Sequence, residues 1–342
     1  MSAARILIVA PNWLGDSLMA QPLLTRLKVK APQLAIDVLA VPAVAPVFRR
    51  MPEVDQVVDA DFRHGRFGLK ERWGLGRSLA KRYAQAFVLP NSWKSGLVPF
   101  FADIPLRAGY IGESRYGLLN VHHANPKKNA PREPMARFYA QLSEAPGKKL
   151  GETLTQPRLI SDPIRSIAAK VNLGLQPAER LVALCPGAEY GPAKRWPAEY
   201  FAQVASKLKA MGATPVVLGA QGDVPTGLMI EQLSHGAAIN LCGKTTLDAA
   251  IDLIAGSSAV ITNDSGLMHV AAAMDIPQVS LFGSSSPKHT PPLSDAARVI
   301  YLGVECSPCY RRECPLGHFK CMRELTPELV VEEYAALTGV RA

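Results

Sequence analysis

The stretch RILIVAPNWLGDSLMAQPLLTRLK, residues 5–28, decides the fold. Residues 5–11 form a short apolar run closed by a proline, which reads as a buried strand. From residue 17 to 30 the spacing of Leu18, Leu23, Leu24 and Leu27 is helical. A strand, a tight loop and a helix open an α/β fold. The alternation continues outward, with strands predicted at 35–41, 56–60, 86–90 and 107–111 and helix-sized segments at 69–82 and 92–102. Parallel strands joined by helices make a sheet covered on both faces. Over residues 120–151 the rhythm fails, Pro, Asn and Lys accumulate, and only 135–142 is helical. It restarts with strands at 181–184, 214–218, 238–241, 259–262 and 278–282 and helices at 198–211, 228–234, 247–255 and 267–274. A last helix, 327–337, follows a Cys-rich segment at 306–321. The expectation is two Rossmann-like doubly wound domains facing a central cleft, since open α/β sheets bind ligands at the carboxyl ends of their strands.

The length of 342 residues suits two such domains, and 48% hydrophobic with 20% charged residues excludes a disordered chain. No uncharged run reaches the roughly 18 residues of a spanning helix, and the apolar run at residues 6–10 is too short for a signal peptide, so a cytoplasmic protein is expected. Six cysteines in this setting are not a secreted disulfide framework. Residues 1–150 hold 22 Lys and Arg against 11 Asp and Glu, whereas residues 151–342 hold 16 against 18. The whole excess of +9 therefore lies in the first half, which suits a phosphate-rich ligand, nucleic acid or an acidic membrane surface.

Five loops carry candidate chemistry. The first strand runs into PNWLGD, residues 11–16, which is neither G-x-G-x-x-G nor a Walker A loop. It offers instead a carboxylate, Asp16, at a helix start, suited to proton abstraction or to capping the helix. After the strand at 181–184, a Gly-rich turn with Gly187 leads to Lys194 and Arg195 before a proline-started helix, an arrangement that suits a diphosphate. After 259–262 come Asp264, Ser265 and Gly266 at another helix start, with His269 one turn in; the backbone there can meet an anion and Asp264 can accept bonds from sugar hydroxyls. Asp223 and Thr245 lie in two further loops of the same half. Cys306, Cys309, Cys314 and Cys321 could form a thiolate metal site, but the second pair departs from zinc spacing and reduced structural cysteines are favoured.

Four segments in this order, NWLGDSLM (12–19), PGAEYGPAKRWP (186–197), TNDSGLMHVAAA (262–273) and CSPCYRRECPLGHFKCM (306–322), resemble the family 9 glycosyltransferases, the ADP-heptose:lipopolysaccharide heptosyltransferases. The Cys-rich tail is similar to the second rather than the first type. The resemblance implies a GT-B architecture, with an acceptor domain over 1–165, an ADP-heptose domain over 166–325, and a terminal helix, 326–342, returning to the first domain. It implies inverting transfer of L-glycero-D-manno-heptose to the first inner-core heptose on a lipid A–Kdo acceptor. It further implies no metal or other cofactor, no nucleic acid, and a cytoplasmic enzyme peripheral at the inner membrane. By motif, Asp16 becomes the base and Lys194 a catalytic and donor-binding cation. Gly187, Asp223, Thr245, Asp264, Ser265, Gly266, Leu267 and His269 complete the donor site. Lys94, Arg107, Arg115 and Arg137, chosen on charge and position, become acceptor contacts. The rival readings are the first heptosyltransferase, which acts on Kdo, a nucleotide-sugar epimerase of the same fold, and a non-enzymatic binder of anionic lipid or nucleic acid.

Overall fold

The computed structural model describes residues 4–62, 67–127, 131–151 and 153–340. The chain divides into two compact units, Met1–Gln156 and Pro157–Ala342.

In the first unit the strands are β1 (Arg5–Val9), β2 (Ala35–Ala40), β3 (Gln56–Asp59), β4 (Gln85–Val88), β5 (Leu106–Tyr110) and β6 (Val121–His123). The helices are α1 (Leu14–Met19), α2 (Gln21–Lys30), α3 (Ala45–Arg49), α4 (Leu69–Ser78), α5 (Leu97–Phe101) and α6 (Met135–Ala140). The sheet is parallel in the order β3-β2-β1-β4-β5-β6. Its central strand β1 is apolar because both faces are covered, and Leu7, Val9, Val88 and Val98 share one core. The single helix expected over 17–30 is two, hinged at Ala20. Pro22 has no N–H to offer the preceding turn, so it sits in the first turn of α2 instead. The strand β6 was not predicted, since three residues, VHH, carry no usable periodicity.

In the second unit the strands are β7 (Leu181–Cys185), β8 (Thr214–Val217), β9 (Ile239–Asn240), β10 (Ala259–Asn263), β11 (Gln278–Phe282) and β12 (Ala297–Tyr301). The helices are α7 (Pro163–Asn172), α8 (Ala198–Ala210), α9 (Val224–Leu233), α10 (Leu247–Ala255), α11 (Gly266–Ala273), α12 (Lys320–Arg323) and α13 (Pro327–Thr338). The order β12-β11-β10-β7-β8-β9 repeats the winding of the first sheet strand for strand. The last helix does not follow the expectation. Val330, Val331 and Tyr334 of α13 pack with Val182, Trp196 and Phe201, and the Trp196 indole N–H donates to the Leu325 carbonyl at 2.8 Å. Apolar burial therefore makes α13 part of the second unit.

One ion cluster fastens the end of the first sheet's helical layer. Glu144, 5% exposed at its side chain, meets Arg26 at 2.7 Å, Lys30 at 2.8 Å and Lys148 at 3.3 Å. The Lys30 ammonium and the Arg26 guanidinium hold its carboxyl down to about 2. A depressed carboxylate stabilises the fold above its unfolded pKa, and that stabilisation fades as pH falls from about 4.3 toward the folded value. Glu144→Gln should therefore cost about 1 to 2 kcal/mol at pH 7, after allowance for the partly exposed cations. Urea unfolding at pH 7 and at pH 3.5 checks this: the gap to wild type should narrow at the lower pH, and a constant gap would assign the loss to packing.

Candidate active site

In the second sheet β7 lies beside β10, and the chain leaves these two strands toward opposite edges. This switch point opens a crevice at the carboxyl ends of the strands. The loops after β7 and β10 are stitched together there. The Asn263 amide donates to the Pro186 carbonyl at 2.7 Å, and its oxygen accepts the Trp196 N–H at 3.2 Å. The stitching brings Lys194 Nζ to 2.5 Å from Asp264 Oδ2. Both side chains are largely buried, so Lys194 is not the solvated loop charge that its surroundings in sequence allow. Ser285 Oγ donates to the same carboxylate oxygen at 2.5 Å, Thr290 Oγ1 lies 3.4 Å from the carboxylate, and the Lys194 ammonium sits 5.2 Å from the Tyr190 ring centre.

Ser265 is the residue before α11 and makes no side-chain capping bond; its hydroxyl lies 3.3 Å from that of Thr262. The N–H groups of Gly266 and Leu267 thus belong to a helix start, where the backbone has donors to spare and a partial positive charge. His269, on the same helix, is buried. Burial, opposed by Asp264 and reinforced by Lys194, pushes its pKa down to about 4, so the ring is neutral at pH 7. Asp223 is more committed than expected: one carboxylate oxygen accepts the Ala220 N–H at 3.0 Å and the other is 3.8 Å from Arg195. The carboxylate lies so close over Gly187 that a Cβ there would meet it at 2.5 to 2.9 Å, so any larger residue would have to displace Asp223. Thr245 is half-buried, and the neighbouring Thr246 caps α10 by accepting the Ala249 N–H at 3.2 Å.

The first sheet has its switch point between β1 and β4. Asp16 stands beyond β1 as the third residue of α1; Trp13 occupies the capping position and makes no side-chain cap. Asp16 is half-buried, and after burial its charge is the next cause of the raised pKa of Tyr139 on α6. Lys94, exposed, lies on the 3-10 turn Trp93–Gly96 beyond β4, beside the same switch point. Arg137 is half-buried on α6, which packs on α1 and α2.

Two of the four expected acceptor contacts are spent elsewhere. Arg115 is buried, its guanidinium donating to the carbonyls of Pro90 at 2.6 Å and Tyr110 at 2.5 Å. Arg107 lies near the amino end of β5, at the wrong edge of the sheet, and donates to the carbonyls of Ile104 at 2.5 Å and Leu118 at 2.7 Å. Both guanidinium groups are thus engaged by backbone carbonyls. Conversely, Ser285, Thr290 and Tyr190 were not predicted. The small polar loop GSSSP (283–287) follows β11, the neighbour of β10, and the rule that singled out Asp264 applies to it equally.

The family model for glycosyltransferase family 9 (heptosyltransferase) matches residues 72–320. The chain belongs to glycosyltransferase family 9. The family 9 enzyme is 41% identical to lipopolysaccharide heptosyltransferase 2 of Salmonella typhimurium, over 97% of this chain and 98% of that one. Against lipopolysaccharide heptosyltransferase 1 of Pseudomonas aeruginosa the identity is 24%, over 91% and 87%. The solved structure of ADP-heptose lps heptosyltransferase II of E. coli superposes with a TM-score of 0.86 at 39% identity, covering 98% of both chains. The two-domain α/β fold of the GT-B type is thus borne out.

The cysteine tail of the family 9 enzyme folds around a small cavity of about 20 Å³ lined by Cys306, Cys309, Cys314 and Cys321. All six thiols are unpaired. Slight burial acts to raise the Cys314 pKa, but the N–H groups of Phe319, Leu316, Gly317 and His318 outweigh it and lower the thiol, whereas burial raises Cys321 to about 11. Among the described residues, no group of three or more His, Cys, Asp or Glu stands where it could hold a metal ion, and no helix is long and apolar enough to cross a membrane.

Proposed function

We propose that this glycosyltransferase moves L-glycero-D-manno-heptose from ADP-heptose to the first heptose of the lipopolysaccharide inner core, with inversion at the anomeric carbon. The observation that carries the reading is the buried Lys194–Asp264 pair at the switch point of the second sheet, beside a helix start and two hydroxyl side chains. A cation and a row of backbone donors suit a diphosphate, and a carboxylate next to them suits sugar hydroxyls. Asp16 takes the proton from the acceptor hydroxyl as that oxygen attacks the anomeric carbon. The bond from carbon to the diphosphate oxygen breaks on the opposite face, and ADP leaves with its negative charge met by Lys194 and the amino end of α11. His269, neutral at pH 7, serves as packing or a hydrogen-bond partner rather than a charge. Asp223 and Thr245 flank the adenosine end, and Lys94 and Arg137 meet phosphate or carboxylate on the acceptor.

The chemistry asks for no metal ion, because protein cations and helix dipole supply the positive charge. Turnover should therefore persist in excess EDTA; loss of activity that added divalent metal restores would overturn this point. Consumption of ADP-heptose with a panel of truncated cores tests donor, acceptor and reaction together. A heptose-terminated core should be used and a Kdo-terminated one not; the reverse order would assign the enzyme to the first heptosyl transfer. The acceptor in this reading is anchored in a bilayer, so the enzyme works as a cytoplasmic, peripheral visitor to the inner leaflet.

A further inference from the structure

The two units differ in what they expose. Among the described residues, every large aromatic side chain that is strongly exposed lies in the first unit: Trp13, Phe67, Trp73, Trp93, Phe100 and Tyr116. The exposed large hydrophobics of the second unit are all aliphatic or Met. The aromatic excess thus falls in the half that also carries the positive charge. Four of the six lie between residues 67 and 100, and residues 67–107 hold seven basic against two acidic residues.

These residues belong to one layer. Helices α4 and α5 cross from β3 to β4 and from β4 to β5, and they meet backbone to backbone at Gly76, where a Cβ would come within 2.9 Å of the Val98 carbonyl. Arg72 and Gly76 are buried, whereas Leu69, Lys70, Trp73 and Arg77 of α4 are exposed, Arg77 being paired with Asp103 at 2.6 Å. On α5 the buried residues are Leu97, Val98 and Pro99, so Phe100 points outward, with the Arg107 guanidinium 5.6 Å from its ring centre. At the other end of the layer Phe67 stacks on Trp93 at 5.8 Å. Single exposed apolar residues need no explanation, but aromatics interleaved with cations over one layer do. Indole and phenyl rings favour the boundary between headgroups and acyl chains, and cations beside them favour anionic lipid.

We propose that the outer face of the α4–α5 layer is the surface by which the enzyme docks on an anionic lipid bilayer, Trp73 and Phe100 entering the interface and Lys70 meeting lipid phosphate. The inference deepens the reading of a membrane-anchored acceptor and names the face that visits it. Co-sedimentation of the full chain with vesicles of phosphatidylethanolamine and phosphatidylglycerol, or of phosphatidylcholine alone, tests it. Wild type should bind the anionic vesicles, Trp73→Ser/Phe100→Ser should lower the apparent affinity about tenfold or more, and Lys70→Glu should lower it severalfold and flatten its salt dependence. Turnover on a deacylated, soluble acceptor should be unchanged in both, which separates a failure of docking from a failure of the functional reading. Unchanged vesicle affinity in the double variant would overturn the proposal. So would equal binding to phosphatidylcholine, or a change in molecular mass by light scattering with vesicle binding intact, the latter marking the face as a contact between copies of the chain.

Discussion

Asp16→Asn should lower kcat about 10²-fold or more while leaving ADP affinity and the unfolding midpoint close to wild type. The factor is that of a general base removed from a proton transfer, since an amide cannot accept the proton at neutral pH. The fold should tolerate the change for a structural reason. Trp13, not Asp16, occupies the capping position of α1, so no cap is lost. The negative charge lost from the first turn is worth roughly 0.3 to 1 kcal/mol against the helix dipole. Steady-state turnover with saturating donor and acceptor, beside calorimetric titration of ADP, separates the two effects. Turnover near wild type in the Asn variant would remove Asp16 from the chemistry.

The second large effect is expected at the buried pair. Lys194→Met should weaken binding of an unreactive ADP-heptose analogue up to about 10-fold, less than the ~1.5 to 3 kcal/mol of a full charge-assisted contact because the lysine gives up Asp264 in exchange, with acceptor affinity unchanged. Asp264→Asn should weaken recognition of the sugar while leaving ADP itself little affected. Either change strands a buried partner, so each single variant should also lose stability, on the order of 3 to 5 kcal/mol at most. Ser285 and Thr290 still serve the Asp264 carboxylate in Lys194→Met and soften that loss. The double variant supplies the control: it should recover much of the stability but none of the donor affinity. Donor affinity that returned with stability would reduce the pair to a structural tie.

Much of this architecture could be read from the chain because the strands are apolar runs bounded by turn residues. The stretch at residues 5–11 and its successors at 35, 181, 259 and 278 became strands, and alternation with helices fixed a parallel sheet. What escaped lay outside the buried apolar runs: the helix at 163–172 falls in the stretch read as a domain boundary, and the strand at 297–301 is an edge strand with mostly unburied side chains. The strand at 121–123 is three residues long, and the break at Ala20 depends on Pro22 choosing the first turn of a new helix over the middle of an old one. The site divides in the same way. The positions of Asp16, Lys194 and Asp264 were legible because their loops follow strands that flank the two switch points. Arg107 and Arg115 were misread because charge in a sequence does not reveal whether a guanidinium faces water or is occupied by carbonyls. Ser285 and Thr290 were missed because a hydroxyl gains its meaning from the carboxylate that folding places beside it.

The contact between Lys194 and Asp264 has a bearing on ionic strength. In the proposed reading a diphosphate arriving in the second unit finds its cation already engaged, so binding is an exchange of partners. The net gain is the difference between two ion pairs, one broken and one made. Salt screens a buried pair little, and the number of ion pairs is the same before and after, so donor affinity at this point should be nearly indifferent to ionic strength. After transfer, Asp264 recovers the lysine as ADP departs, and the resting arrangement resets with no group left stranded. Attachment of Lys70 to an anionic bilayer takes place at an exposed surface and should fade steadily as salt is added. The molecule would then respond to a rise in salt by leaving its surface while keeping its grip on the nucleotide sugar.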